Sequence, residues 1–183
     1  MDKNAAPKKT SEQSSAASAG ESRLHVKATS ARNVSLLSDS MVDSGSAMAM
    51  VAYGQSASVI LATREAGYHS KPHRHEAEQI NYILEGEAWV FIEDTGFHVG
   101  KGDLLRIPKG CVHWAWVTGT SKASVLEVHT PPLTADYSSG RISMLTDASE
   151  EDQVDHVSNT DAYDFDWQSV ERRVVGKSYS DQG

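Results

Sequence analysis

The sequence predicts an all-β fold, either a sandwich or a small barrel, and three observations support this. Between about residues 46 and 132 the apolar side chains fall in short runs rich in β-branched and aromatic residues. Glycines separate these runs at intervals of several residues, which is typical of turns between strands. No segment of this region has the apolar periodicity of a helix of useful length. Many short strands in one region of this length indicate a sandwich or a barrel.

The predicted strands follow one another along the chain without a long interruption. Their sequences are SASVILAT (56–63), INYILEGEAWVFIED (80–94), DLLRIP (103–108), HWAWV (113–117) and SVLEVH (124–129). The punctuating glycines are Gly67, Gly86, Gly96, Gly100, Gly102 and Gly110.

Length and composition limit the classes of function. The chain has 183 residues, of which 39% are apolar and 23% charged, and this suits one ordinary domain with tails. The net charge of -8 makes a nucleic-acid backbone a poor partner. A single cysteine, Cys111, cannot form an internal disulfide. No apolar run is long enough to span a membrane, and the N-terminus lacks the apolar core of a secretory signal. We therefore expect a cytoplasmic protein with neither a nucleic acid nor a membrane as partner.

Both ends of the chain read as extensions of the domain. Residues 1–22 are polar and rich in Ser and Ala, which predicts a disordered leader before a domain at 23–146. Residues 147–183 form an acidic C-terminal extension, with nine acidic and no basic residues between Asp147 and Glu171. A solvated tail is the simplest interpretation of such a segment.

Aromatic residues in the acidic extension favour a different interpretation. Tyr163, Phe165 and Trp167 alternate with aspartates, which would place the three aromatic rings on one face of an extended strand. We therefore expect the segment to dock on the domain or on a second subunit.

Three histidines form a candidate metal site. His73 and His75 are two residues apart, so in a strand both imidazoles lie on the same face. Gln79 follows four residues after His75, and His113 lies in another predicted strand. Two histidines on one strand and a third from a facing strand would make an open metal site inside a barrel.

The residues that flank these histidines resemble the two motifs of the cupin superfamily. The first stretch runs from Gly67 through His73, His75 and Gln79 to Gly86, and the second runs from Gly102 through Pro108 and Gly110 to His113. The resemblance implies a double-stranded β-helix, the cupin jelly-roll barrel, with a motif core at 67–117. It also implies one divalent metal ion, Zn, Fe, Ni or Mn, held by His73, His75, Gln79 and His113.

Two positions depart from the family pattern. Gln79 replaces the usual Glu of the first motif, and Val117 replaces the Asn that usually closes the second. A Gln amide oxygen binds a divalent ion more weakly than a carboxylate. It also leaves the metal charge near +2, which favours an anionic ligand. A cupin that has lost its metal and only binds a ligand is the competing interpretation.

Strand parity extends the site to further residues. If Gln79 faces inward, Asn81 and Ile83 should also face the cavity and contact the substrate. Ala115 and Val117 share the parity of His113, whereas Trp114 and Trp116 should face the other way, into packing.

Glu127 and His129 also share one face of a strand, and we expect them to be acid/base groups in the cavity. If the strand were rotated by one residue, Glu127 would instead be solvated and Val128 would be inside. The predicted neighbours of Glu127 offer no balancing charge, which leaves only the metal ion and His129 to stabilise the carboxylate.

A narrower resemblance concerns the stretch HEAEQINYILEGE and the later EVHTPP. They are similar to small pectin-degradation cupins that promote ring opening of 4,5-unsaturated uronates. That group carries Asp, Phe and Gln where this chain has Glu127, His129 and Asn81, and it carries Arg where this chain has Leu133. The resemblance implies the architecture and the type of mechanism, but not the uronate substrate.

The function predicted from sequence is therefore a metal-dependent enzyme acting on a small, oxygenated, anionic molecule. The favoured chemistry is that of an isomerase, cyclase or lyase, in which Glu127 or His129 moves a proton at a metal-bound carbonyl or enolate. The alternatives are a non-haem iron dioxygenase and a non-catalytic metabolite-binding cupin. A homodimer is expected from the resemblance alone.

Overall fold

A computed structural model describes residues 42–54, 56–133 and 160–176. The strands are β1 Val42–Ser44, β2 Ala47–Tyr53, β3 Ser58–Arg64, β4 His69–Ser70, β5 His73–His75, β6 Glu78–Glu85, β7 Glu87–Ile92, β8 Thr95–Gly100, β9 Leu104–Ile107, β10 His113–Trp116, β11 Ala123–Thr130 and β12 Thr160–Ala162, and the helix is α1 Trp167–Val175. The predicted leader at 1–22 lies outside the described residues, as does most of the acidic extension. The domain boundaries drawn from the sequence stay predictions.

The strands form two antiparallel sheets. The five-stranded sheet has the order β2-β3-β11-β6-β9. The seven-stranded sheet has the order β1-β4-β10-β5-β12, with β7 pairing to β10 and β8 to β7. This is the predicted all-β jelly-roll barrel. No helix in the described part of the chain is long and apolar enough to cross a membrane.

Apolar side chains from both sheets meet in one core. Ile60 and Val125 of the five-stranded sheet pack with Val90 and Ala115 of the seven-stranded sheet. The alternation in SVILATR and ASVLEVHT explains this core, because every second side chain points between the sheets. Gly86 makes the tight turn from β6 to β7 at a φ of 73°, where a Cβ atom would lie 2.2 Å from the carbonyl oxygen of Lys122.

A second apolar cluster, called the outer cluster below, lies outside the core and includes residues of the C-terminal extension. Trp114 and Trp116 pack there with Phe91, Val112 and Val170, and part of Phe165 and Trp167 is buried against them. The two β10 tryptophans thus belong to a cluster separate from the core, as their parity predicts. Residues 160–176 of the extension thus pack on the barrel of their own chain.

The extended strand predicted for the aromatic segment is wrong beyond residue 162. The chain has no regular structure from 163 to 166, and α1 begins at Trp167. Asp166 caps the helix, because its side chain accepts a hydrogen bond of 3.1 Å from the Ser169 backbone N–H. Gly176 ends the helix in the left-handed conformation. The alternating aspartates therefore include a helix cap, and Tyr163 stays 39% exposed.

Candidate metal centre and cavity

A cavity of about 50 Å³ lies between the two sheets. Its polar lining consists of Arg64, Tyr68, Ser70, His73, His75, Gln79, Asn81, His113, Glu127 and His129. Its other wall residues are Ile60, Val90, Ile107, Trp114, Ala115 and Leu133, of which Trp114 also packs in the outer cluster. The cavity thus combines a smaller apolar wall with ten polar side chains that could contact a small polar molecule.

The three predicted metal-binding histidines lie together at this cavity. His73 and His75 are on β5, and His113 of β10 pairs directly with His73. The ring centroids of His73 and His113 are 4.4 Å apart, and those of His75 and His113 are 4.8 Å apart. The pairing of β5 with β10 thus brings residues forty positions apart in sequence to one place.

Backbone carbonyls fix the tautomer of each imidazole. The Nδ1 atoms of His73, His75 and His113 lie 2.8, 2.9 and 3.0 Å from the carbonyl oxygens of Lys71, Ala77 and Cys111. A carbonyl only accepts, so each Nδ1 carries the proton and each Nε2 keeps a lone pair. The Nε2 atom of His113 is buried and has no hydrogen-bond partner. Such an orphaned lone pair suits a metal ligand.

Gln79 adds an oxygen to this group. Its Oε1 atom lies 3.1 Å from the Nε2 of His75, while its Nε2 donates a 2.8 Å hydrogen bond to the Oδ1 of Asn81. Because neutral His75 carries its proton on Nδ1, its Nε2 atom has a lone pair that points toward the amide oxygen of Gln79. Two acceptors at this distance attract a cation between them.

The donor chemistry fits a divalent ion, although the side chains as placed form no complete site. Within the described residues, no three His, Cys, Asp or Glu side chains stand in a finished metal-binding arrangement. Three imidazole nitrogens and one amide oxygen suit Zn, Fe or Ni. The ligand set His73, His75, Gln79 and His113 therefore stays a prediction that the buried lone pairs support.

Burial keeps the cavity histidines neutral. Desolvation lowers the pKa of His73 to about 4 and that of His129 to about 3. Desolvation also brings the pKa of His113 well below its usual value, and the neighbouring imidazoles add to this effect. The pKa of His75 falls for the same main reason. Neutral imidazoles are the form that binds metal ions.

Strand register arranges the inner face of the five-stranded sheet in rows. One row contains Ser58, His129, Gln79 and Ile107, and the next contains Ile60, Glu127, Asn81 and Leu105. Glu127 is 4% exposed and His129 is 2% exposed, so the register in which Glu127 is solvated does not occur. The Nε2 of His129 lies 3.9 Å from the Oε2 of Glu127.

Two residues predicted to face the cavity do not line it. Ile83 pairs with Val125 one row beyond Asn81 and packs in the apolar core. Val117 lies past the end of β10 and packs with Tyr68 and Ala88. Parity fixes the face of a residue but not its depth or the point at which a strand ends.

Arg64 corrects the expectation that Glu127 has no charged neighbour. The Arg64 guanidinium donates to Oε1 of Glu127 at 2.5 Å, and both side chains are largely buried. Arg64 also lies over the Tyr68 ring, with its Cζ atom 5.6 Å from the ring centroid. The alternation of SVILATR, which places Ile60 inward, also places Arg64 inward, so the sequence contained this signal.

Comparisons with known proteins agree with this geometry. Residues 60–129 match the family model described as Cupin domain. No curated protein matches the chain. A cupin-like protein from Thermotoga maritima shares 16% identity at a TM-score of 0.54, covering 80% of this chain and 97% of that one. An RmlC-like cupin from Shewanella frigidimarina shares 15% identity at a TM-score of 0.51, covering 60% and 92%.

KdgF from Halomonas sp. shares 19% identity at a TM-score of 0.45, covering 53% of this chain and 93% of that one. Identities this low carry no activity from those proteins to this chain. The family match, however, spans the strands that bear His73, His75, Gln79 and His113 and extends to His129 of β11. With its two-sheet barrel and its cavity between the sheets, the segment at 60–129 has both the family match and the fold of a cupin domain.

Proposed function

We propose that the chain is a metal-dependent enzyme that transfers a proton on a small, oxygenated, anionic substrate, as an isomerase, cyclase or lyase does. One observation carries the proposal. Glu127 and His129, a carboxylate and an imidazole, line the same cavity as the three clustered histidines. Such a combination places an acid/base pair beside a candidate Lewis acid.

The charges of the cavity support an anionic substrate. Arg64 and Glu127 are the charged side chains among its described lining, and they neutralise each other as an ion pair. The four histidines are neutral because burial lowers the pKa of each. A divalent ion would therefore add an uncompensated charge near +2 to a poorly solvated space. A carboxylate or an enolate would balance that charge.

Each residue then has a role that follows from its position. His73, His75, His113 and Gln79 would hold the ion, which would supply Lewis-acid polarisation of a substrate carbonyl. Arg64 engages Oε1 of Glu127, so Oε2 is the atom available to accept and return a proton. The Asn81 amide, which the Gln79 side chain orients, can contact a substrate oxygen.

Metal analysis of protein purified without a tag or a chelator tests the first half of the proposal. A stoichiometric, redox-inert ion such as Zn supports the proton-transfer chemistry. Bound Fe(II) with oxygen uptake would favour the dioxygenase alternative instead. Protein that binds no divalent ion would contradict the proposal and favour a metabolite-binding cupin.

Replacement of Glu127 tests the second half. Glu127→Gln keeps the shape of the side chain and should lower turnover roughly 100-fold or more, the usual size of a general acid/base contribution, while metal and fold are retained. Turnover is measured on the substrate found in a screen of small carbohydrates and keto acids. Glu85→Gln makes the same change at an exposed position of β6 and serves as the control. A near wild-type rate in Glu127→Gln would shift the role to His129.

We also propose that the chain forms a homodimer through the outer face of the five-stranded sheet. One row of apolar residues crosses all five strands, namely Met50, Leu61, Leu126, Tyr82 and Leu104. Leu104 is 70% exposed and Ile80 of the adjacent row is 43% exposed. No helix covers this face within the described ranges, whereas α1 packs against the other sheet.

Size and charge favour a second copy of the chain as the occupant of this face. Five strands spaced about 4.8 Å apart make a face about 20 Å across, enough for the centre of a standard interface. Its apolar row bears no charge, and Arg106 at its side pairs with Glu78 of the same sheet. An uncharged apolar surface is complementary to itself and suits a twofold interface.

A further inference from the structure

The described C-terminal extension, residues 160–176, lies against the corner that carries two of the predicted metal ligands. That corner comprises β4, Lys71, Pro72 and β5, so it runs from 69 to 75. It is short and has few pairing partners of its own. The extension contacts it at three successive places.

The first contact is strand pairing. Strand β12 pairs with β5 along its whole length, with Thr160, Asp161 and Ala162 opposite His75, Arg74 and His73. By contrast, β10 pairs with β5 only at His113 and His73. The Gly110 backbone N–H adds one hydrogen bond to the His75 carbonyl. The extension therefore supplies most of the pairing of the strand that bears His73 and His75.

The second contact follows directly along the chain. The Tyr163 backbone N–H donates a 3.0 Å hydrogen bond to the carbonyl oxygen of Pro72. The Arg74 guanidinium lies over the Tyr163 ring, 5.0 Å from its centroid. These contacts hold the bend between β4 and β5.

The third contact is a buried carboxylate from α1. Glu171 is 1% exposed, and its Oε1 accepts hydrogen bonds from the Nε2 of His69 at 2.8 Å and from the Nε1 of Trp114 at 2.7 Å. His69 begins the corner, and Trp114 directly follows His113 on β10. One side chain thus ties together the two segments that carry the candidate ligands.

Apolar packing keeps α1 in place over these contacts. Val170 is 5% exposed in the outer cluster with Phe91 and Trp114. Gly96 of β8 leaves room for Val174, because a Cβ atom at Gly96 would lie 2.6 Å from a Val174 methyl group. Burial of one such aliphatic side chain stabilises docking by about 1.5–3 kcal/mol.

We infer that the C-terminal extension is a positioning element for the metal site. It fixes the corner at 69–75 from both ends, and it thereby sets the separation of His73 and His75 from His113 and the affinity for the metal ion. This inference rests on the proposed function. The extension touches no substrate in this role and acts only through the corner and the β10 residue that it contacts.

Release of the helix in the full-length chain tests the inference. Val170→Asp places a charge in the outer cluster and should undock α1. We expect the affinity for Co(II) and Zn(II) to fall roughly 10- to 100-fold, the usual effect of losing groups that orient metal ligands. We also expect the amides of 69–75 to lose protection from hydrogen exchange while those of β3 and β11 keep it. Arg172→Ala, at an exposed position of the same helix, is the control and should change neither measurement.

A second pair of variants covers the case in which Val170→Asp does not fold. Glu171→Ala removes the acceptor for His69 and Trp114, whereas Glu171→Gln keeps an oxygen there. Metal affinity should fall in Glu171→Ala and recover in Glu171→Gln, and the Co(II) absorption spectrum should change only in the former.

The outcomes separate this inference from the proposed function. Wild-type chain that binds neither Co(II) nor Zn(II) contradicts the proposed function. If the wild-type chain binds metal and the Val170→Asp variant, with its helix released, binds metal equally tightly, the positioning role is overturned and the proposed function is not.

Discussion

Arg64 supplies the positive charge beside the buried Glu127 carboxylate, and Arg64→Met isolates its contribution to stability. The two side chains are 11% and 5% exposed, so little water can replace the guanidinium. His129, the next titratable neighbour at 3.9 Å, is neutral because its pKa is about 3. A buried carboxylate that loses its partner costs about 3–5 kcal/mol. That is a large part of the roughly 5–15 kcal/mol by which a domain is stable.

Urea unfolding of the metal-free chain at pH 7, followed by tryptophan fluorescence, measures this cost. The double variant Arg64→Met/Glu127→Gln removes both charges and should recover most of the loss, because replacing a whole buried pair is often close to neutral.

An exposed ion pair provides the matched control. Arg106→Met breaks the pair with Glu78, whose members are 63% and 39% exposed, and should cost less than about 1 kcal/mol. An Arg64→Met cost as small as that of Arg106→Met would refute the reasoning. It would mean that water or another group already neutralises Glu127.

Three further predictions follow from the site and the sheet. His113→Ala should remove most of the bound metal, measured by elemental analysis, and Gln79→Ala should weaken binding less, because an amide is the weakest of the four ligands. The melting temperature of the metal-free chain should fall as the pH drops from about 6.5 to about 4. In the folded state His73 and His129 have pKa values of about 4 and about 3 and stay neutral over this range. The same histidines bind protons in the unfolded chain, so acidification favours unfolding. Leu104→Lys should convert the dimer to a monomer in light scattering after size exclusion.

Each of these three predictions has its own contradicting result, and the two that concern variants also have a control variant. His98→Ala, at an exposed histidine of β8, should keep its metal, and full occupancy in His113→Ala would remove that residue from the ligand set. A melting temperature that holds or rises on acidification would contradict the buried neutral histidines. Phe97→Lys changes an exposed aromatic residue of the other sheet and should leave the dimer intact. A wild-type chain that is monomeric at micromolar concentration would show that the outer face has another occupant.

The sequence predicted the barrel and most of the cavity because both depend on alternation along strands. His73, His75 and His113 follow from period two and from motif spacing, and the structure brings their rings within 4.4 to 6.4 Å of one another. Asn81 and Glu127 line the cavity for the same reason. Their metal-binding and catalytic roles remain predictions.

The features that the sequence did not predict depend on how deep a residue lies in the barrel, how far its side chain reaches and which distant segments pack against it. Ile83 has the correct parity but lies one row too deep to line the cavity. Arg64 reaches Glu127 from a neighbouring strand because its side chain is long. Aromatic alternation predicts a strand at Trp167 because it resembles period two, whereas the cap and the apolar face of the helix find their partners only in the folded chain. Its buried Glu171 gives no local signal, since its partners lie 57 and 102 positions away.

The rows of the five-stranded sheet have a consequence for how this barrel could acquire a new specificity. Asn81 and Glu127 share a row that meets the cavity, whereas Val125 and Ile83 share the next row in the apolar core. Substitutions in the first row change what the cavity can recognise without opening a void in the second. A combinatorial library that randomises Asn81 would therefore sample new ligands at less risk to folding than one that randomises Ile83, which fills the core.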